Sequence, residues 1–73
     1  MTKRSVTING HATSISLETA FWQELKRMAD EAGLSVAALI ARIDADRRTG
    51  NLSSALRLAV LNDLKVRAEN NLR

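Results

Sequence analysis

A chain of 73 residues without cysteine is long enough for one domain, and it can hold neither disulfides nor a thiolate metal site. A domain this small buries only about 60% of its unfolded surface, so oligomerisation is the expected means of stabilisation. The net charge is +3, which doubles to +6 in a dimer and suits a polyanionic partner.

Residues 1–11 carry a basic pair, Lys3 and Arg4, followed by a short alternating stretch and then Asn9-Gly10. Asn-Gly between two alternating runs favours a type I′ hairpin turn. Two alternatives stay open for this segment. It is either an extra strand folded back on residues 12–16 or a flexible arm that orders only on DNA.

Residues 12–17 alternate between larger and small side chains, which is typical of a half-buried strand. One face carries Thr13, Ile15 and Leu17, and the other carries Ala12, Ser14 and Ser16. A lone strand has two unpaired edges. We therefore expect this strand to pair with the same strand of a second chain.

Hydrophobic periodicity predicts three helices, over residues 19–32, 35–49 and 52–70. Ser35 is a good N-cap for the second helix. The third helix is nearly apolar all round at its start, which indicates burial in a dimer or a higher assembly. The predicted dimer core comprises Ile15, Leu17, Phe21, Trp22, Leu25, Met28, Leu39, Ile40, Ile43 and Leu56.

The order of strand, helix, glycine turn and capped helix resembles the ribbon-helix-helix domain of the MetJ and Arc type. The resemblance is carried by residues 13–17, by the face of Phe21, Leu25 and Met28, and by Gly33-Leu34-Ser35 leading into Leu39-Ile40. Residues 4–11 and 50–57 resemble a bacterial subfamily with extended ends. The implied fold is mainly α with a short β-ribbon, an intertwined homodimer with an additional C-terminal helix.

The resemblance also implies a DNA-binding surface, because a two-stranded ribbon fits the major groove. The outward residues Ala12, Ser14 and Ser16 would contact bases. The expected phosphate contacts are Lys3, Arg4 and the start of the second helix at Ser35, Val36 and Ala37. Secondary candidates are Thr7, Asn9 and His11. The outward positions are smaller than those of related ribbons, so specificity from this strand should be modest.

The resemblance implies a sequence-specific DNA-binding transcriptional regulator, a repressor, whose partner is double-stranded DNA. The alternative is an antitoxin-like or other protein-interaction module with weak or no DNA binding, in which helix three recruits a protein partner. We expect a homodimer, and the alternative assembly is a tetramer.

Other classes of function find no support in the sequence. No nucleophile–base pair or glycine-rich phosphate loop is present, and the domain is too small for a usual enzyme pocket, so we expect no enzyme. We expect no cofactor and no metal, since His11 is the single histidine. With no export signal and no apolar run long enough for a bilayer, the expected location is the cytoplasm, on the nucleoid.

Overall fold

The computed structural model describes residues 1–47 and 50–71, which form a two-stranded antiparallel sheet and three helices. The elements are β1 (Thr2–Ile8), β2 (His11–Leu17), α1 (Thr19–Ala32), α2 (Val36–Asp46) and α3 (Leu52–Asn71). The predicted fold class, mainly helical with a short β-ribbon, is confirmed. None of the described helices is both long and apolar enough to cross a bilayer.

The second helix ends earlier than the predicted residue 49. Arg47 leaves the helix with extended backbone angles of φ −71° and ψ 145°. The predicted helical residues 48 and 49 lie outside the described part of the chain. At the start of α2, the Ser35 hydroxyl accepts a hydrogen bond from the Ala38 N–H at 3.0 Å. Ser35 is therefore the N-cap of α2, as predicted.

The turn between the strands decides between the two alternatives for the first residues. Asn9 and Gly10 have φ angles of 52° and 82°, the positive pair that a type I′ turn requires. β1 and β2 pair from Ile8 opposite His11 to Thr2 opposite Leu17. Residues 12–17 therefore pair with a strand of their own chain, which is the first of the two alternatives, and they have one unpaired edge instead of two. Closing a loop of two residues costs little conformational entropy, which favours pairing of the two strands within one chain.

The other edge of β2 remains open. The two residues that flank a two-residue turn form a hydrogen-bonded pair. Along an antiparallel ladder, hydrogen-bonded pairs alternate with pairs that are not hydrogen-bonded to each other. The N–H and C=O groups of His11, Thr13, Ile15 and Leu17 therefore face β1. The N–H and C=O groups of Ala12, Ser14 and Ser16 face away from β1. The described chain contains no third strand to pair with them, although the Ser16 carbonyl oxygen accepts a hydrogen bond from the Ser53 hydroxyl.

The inward face of the sheet packs on the helices to form the core of a single chain. Its most deeply buried side chains are Leu17, Leu25, Ile40, Leu56 and Val60. All ten residues predicted for the core belong to this cluster or pack against it. In the single chain these residues form one core, because Leu56 and Val60 of α3 join the inward face of the sheet. Their contact with a second chain stays a prediction.

Helices α1 and α3 run side by side in the same direction. Arg27 on α1 donates to the Asp63 carboxylate at 2.7 Å, and Arg67 pairs with Glu31, so both contacts join residues 36 apart. Asp63 and then Glu24 raise the pKa of Arg27 above its ordinary value by hydrogen bonding its guanidinium. This ion-pair network fixes the position of α3 along α1.

Candidate nucleic-acid interface

The outward face of the sheet is a small, polar and exposed surface. Strand alternation and the pairing of β1 with β2 place six side chains on it: Lys3 opposite Ser16, Ser5 opposite Ser14, and Thr7 opposite Ala12. Five of them are exposed and Ser16 is half-buried. The structure thus puts the three predicted base-contact residues on one surface, together with a single positive charge.

The two basic residues predicted as phosphate contacts lie on opposite faces of β1. Lys3 is on the outward face. Arg4 is on the inward face, with its guanidinium carbon 5.4 Å from the centroid of the Trp22 ring. The Trp22 indole N–H donates to the Thr2 carbonyl at 2.9 Å, which holds the ring in place under β1. Arg4 therefore makes a cation–π contact on the face of the sheet opposite to Lys3, and its predicted phosphate contact stays a prediction.

A cleft of about 630 Å³ separates β1 from the beginning of α2. Val36 and Ala37 line it, and at a helix start their backbone N–H groups have no acceptor within the helix. The positive end of the helix dipole adds to these donors. Ser5 and Thr7 line the same cleft, so it is continuous with the outward face.

Sequence reasoning singled out neither Ser5 nor Lys26, and both line this cleft. Lys26 lines it together with Arg4, and among the described residues it forms no ion pair. The periodicity of the first helix placed Lys26 only on the polar face. Its closeness to the start of α2 depends on how α1 packs against β1 and α2, which no local pattern reveals.

The three secondary candidates for DNA contact lie in two different parts of the structure. Thr7 is on the outward face, whereas Asn9 and His11 lie at the turn end of the hairpin, beside Asp44 near the end of α2. Asn9 holds the positive φ of the turn. No group of three or more His, Cys, Asp or Glu residues suited to a metal occurs within residues 1–47 and 50–71.

The sequence pattern described as "Ribbon-helix-helix domain" matches residues 1–64, which include both strands, α1, α2 and most of α3. The chain belongs to the ribbon-helix-helix family. Domains of this family are typical of DNA-binding regulators and antitoxins, they typically bind DNA as dimers, and they are typically not enzymes. The match includes β1, so the extra strand lies within the family region.

A solved structure supports the assignment to the ribbon-helix-helix family. The chain is similar to an uncharacterized protein from Bordetella pertussis Tohama I, with 32% sequence identity and a TM-score of 0.80. The similarity covers 94% of this chain and 59% of the Bordetella chain, so this chain spans less than two thirds of it. A search of curated proteins found no match.

Proposed function

We propose that this protein is a DNA-binding transcriptional repressor that acts on the nucleoid as a homodimer. The observation that carries the proposal is the combination of an open edge on β2 with an exposed polar outward face bearing Lys3. Antiparallel pairing of two copies along this edge would double that face. Because β2 spans His11–Leu17, full overlap places Ser14 opposite Ser14 of the partner subunit.

The width of the four-stranded sheet in this homodimer determines which of its strands can enter the major groove. Strands lie about 4.8 Å apart, so the outer strands of a four-stranded sheet are about 14 Å apart. The major groove is about 12 Å wide and admits two strands. The two copies of β2 therefore enter the groove and offer Ala12, Ser14 and Ser16 to base edges. The two copies of β1 lie over the phosphate backbones on either side of the groove. There, Lys3 and the Ser5 and Thr7 hydroxyls contact phosphates.

The cleft beside β1 supplies the second set of phosphate contacts. The free N–H groups of Val36 and Ala37 and the ammonium of Lys26 line it, an arrangement suited to a phosphate oxygen. Ser35 holds this helix start in shape through its hydrogen bond with Ala38. Asn9, at the hairpin end, is assigned to a groove contact farther along the duplex. His11 shares the inward face with Thr13 and lies beside Asp44, so it is assigned no DNA contact.

Base discrimination by this surface should be modest. Serine hydroxyls form hydrogen bonds with either base type, and alanine offers only an apolar contact to a thymine methyl. Sequence-dependent DNA shape then supplies part of the specificity. The same absence of bidentate donors on β2 favours a second candidate function, an antitoxin-like interaction module with weak or no DNA binding.

A titration of labelled duplex DNA with three charge variants tests the proposal. Ser14→Asp puts a negative charge on the outward face, and Ser35→Asp puts one at the start of α2 while keeping a good N-cap. Asn62→Asp makes the same charge change on an exposed position of α3 and serves as the control. We expect the first two to weaken binding at least tenfold and the control to bind nearly as the parent does.

The salt dependence and the low-salt limit separate the two candidate functions. If a dimer neutralises about four phosphates, the slope of log K against log salt is roughly −4. Parental affinity in both Ser14→Asp and Ser35→Asp would show that DNA binds elsewhere. No binding by the parent at low salt would favour the interaction module.

A further inference from the structure

We propose that one side of α3 forms part of the homodimer interface, packing against the second copy that joins the open edge of β2. This α3 flank is defined by Ser53, Arg57, Leu61 and Leu64. The inference rests on the proposed homodimer and extends it from the strand edge to a helix.

The start of α3 lies at the open edge of β2. The Ser53 hydroxyl donates a hydrogen bond to the Ser16 carbonyl oxygen at 3.3 Å. Ser16 is opposite Lys3, a position whose C=O points away from β1 in this ladder. The hydrogen bond therefore places the first turn of α3 beside the open edge, where an added strand would lie.

The α3 flank continues from this edge along the helix. Residues four apart lie one above the other on a helix, so Ser53, Arg57 and Leu61 form one row. The Arg57 guanidinium donates to the Glu18 carboxylate at 3.0 Å, directly after the end of β2. The row therefore follows the end of the strand and then reaches two exposed leucines, Leu61 at 52% and Leu64 at 42% exposure.

A second copy of this chain is the occupant that fits this surface. A strand added to β2 must pass the start of α3, so the α3 flank and the open edge form one continuous surface. Strand pairing over seven residues gives little of the roughly 800 Å² per partner found in stable interfaces. The exposed leucines supply apolar area on the same side. The Arg57 charge is balanced by Glu18, so two copies related by a two-fold axis do not repel each other there.

A mass measurement by analytical ultracentrifugation across a range of micromolar concentrations tests this inference. Leu61→Glu buries a carboxylate in the proposed interface, and Leu64→Glu is a second variant of the same flank. Val66→Glu is the control, because Val66 is 48% exposed on the same helix but lies about 140° round it from Leu61. We expect both leucine variants to raise the dimer Kd at least tenfold and the control to leave it within twofold. Circular dichroism checks that the helices remain folded.

The strand variant Ser14→Pro separates failure of this inference from failure of the proposed function. It removes an N–H from the open edge but none from the β1–β2 ladder. If Ser14→Pro dissociates the dimer while Leu61→Glu and Leu64→Glu do not, the homodimer stands and the role of α3 is wrong. If the parent is a monomer throughout, both are wrong. If all three variants dissociate and Val66→Glu does not, the inference is supported.

Discussion

The guanidinium of Arg4 lies 5.4 Å from the centroid of the Trp22 ring, on the side of the sheet opposite to the neighbouring Lys3. Two adjacent cations with the same formal charge therefore have different surroundings. Both side chains are exposed, but the Arg4 guanidinium also contacts an aromatic ring that is only 5% exposed. This difference gives a matched pair of variants in which stability and DNA binding respond separately.

Arg4→Ala should lower the free energy of unfolding by about 0.5–1 kcal/mol, the usual size of an exposed cation–π contact. Lys3→Ala should leave stability nearly unchanged but reduce the magnitude of the DNA salt slope by about 2 per dimer, one phosphate for each copy. Urea unfolding and DNA titration at several salt concentrations measure the two effects. A larger change of slope in Arg4→Ala than in Lys3→Ala would contradict the assignment.

The hairpin turn depends on the positive φ of Gly10. A Cβ at this position meets nothing within 4 Å, so the cost of Gly10→Ala is the backbone strain at φ 82°. We expect a loss of about 1–2 kcal/mol in unfolding free energy. Gly50→Ala is the control, since Gly50 also has open space and has no positive φ. Equal stability of the two alanine variants in chemical denaturation would argue against the type I′ turn.

Asp63 joins α3 to α1 by accepting hydrogen bonds from Arg27. The Arg67 guanidinium lies 3.5 Å from the same carboxylate. Because both arginines are more than a quarter exposed, Asp63→Asn should cost only about 0.5–1 kcal/mol. Asp30→Asn on α1 removes an exposed carboxylate that makes no ion pair among the described residues, and it should change stability less. If the Asp30 variant is the less stable of the two in urea, the network does not hold α3.

The Glu18 carboxylate gives stability a pH dependence with a definite sign. Its own backbone N–H and then the Arg57 guanidinium hold the pKa of Glu18 below its ordinary value. The ionised form is favoured in the folded chain, so this stabilisation is present above the unfolded pKa and is lost as pH falls through the folded pKa. Glu18→Gln should therefore reduce the loss of stability between about pH 5 and pH 3. Urea midpoints across this range provide the measurement, and parallel curves for parent and variant would contradict it.

The sequence predicts the architecture of the chain well because its local signals agree with one another. Three local signals each specify a geometry that the structure contains. The alternation of Ile15 and Leu17 with small residues specifies the strand, Gly33 specifies the left-handed end of α1, and Ser35 specifies the N-cap of α2. Asn9-Gly10 likewise specifies the hairpin. In each case the deciding interaction spans only a few residues.

What sequence reasoning could not supply depends on contacts between distant residues. The alternation of side chains along β1 cannot show that Arg4 lies over Trp22, because that contact requires α1 to pack beneath the strand. The approach of Lys26 to the start of α2 is of the same kind. Leu56 of α3 joins the core of the single chain, a contact between distant residues that helical periodicity alone does not reveal.

An amide NMR titration with duplex DNA shows whether the outward face of the sheet binds DNA. We expect the largest shift changes at Lys3, Ser5 and Ser14 on the outward face and at Val36 at the start of α2. The signals of Lys65 and Glu69 on α3 should barely move. If the changes are confined to α3 and the outward face is unaffected at saturating DNA, the outward face is not the DNA-binding surface.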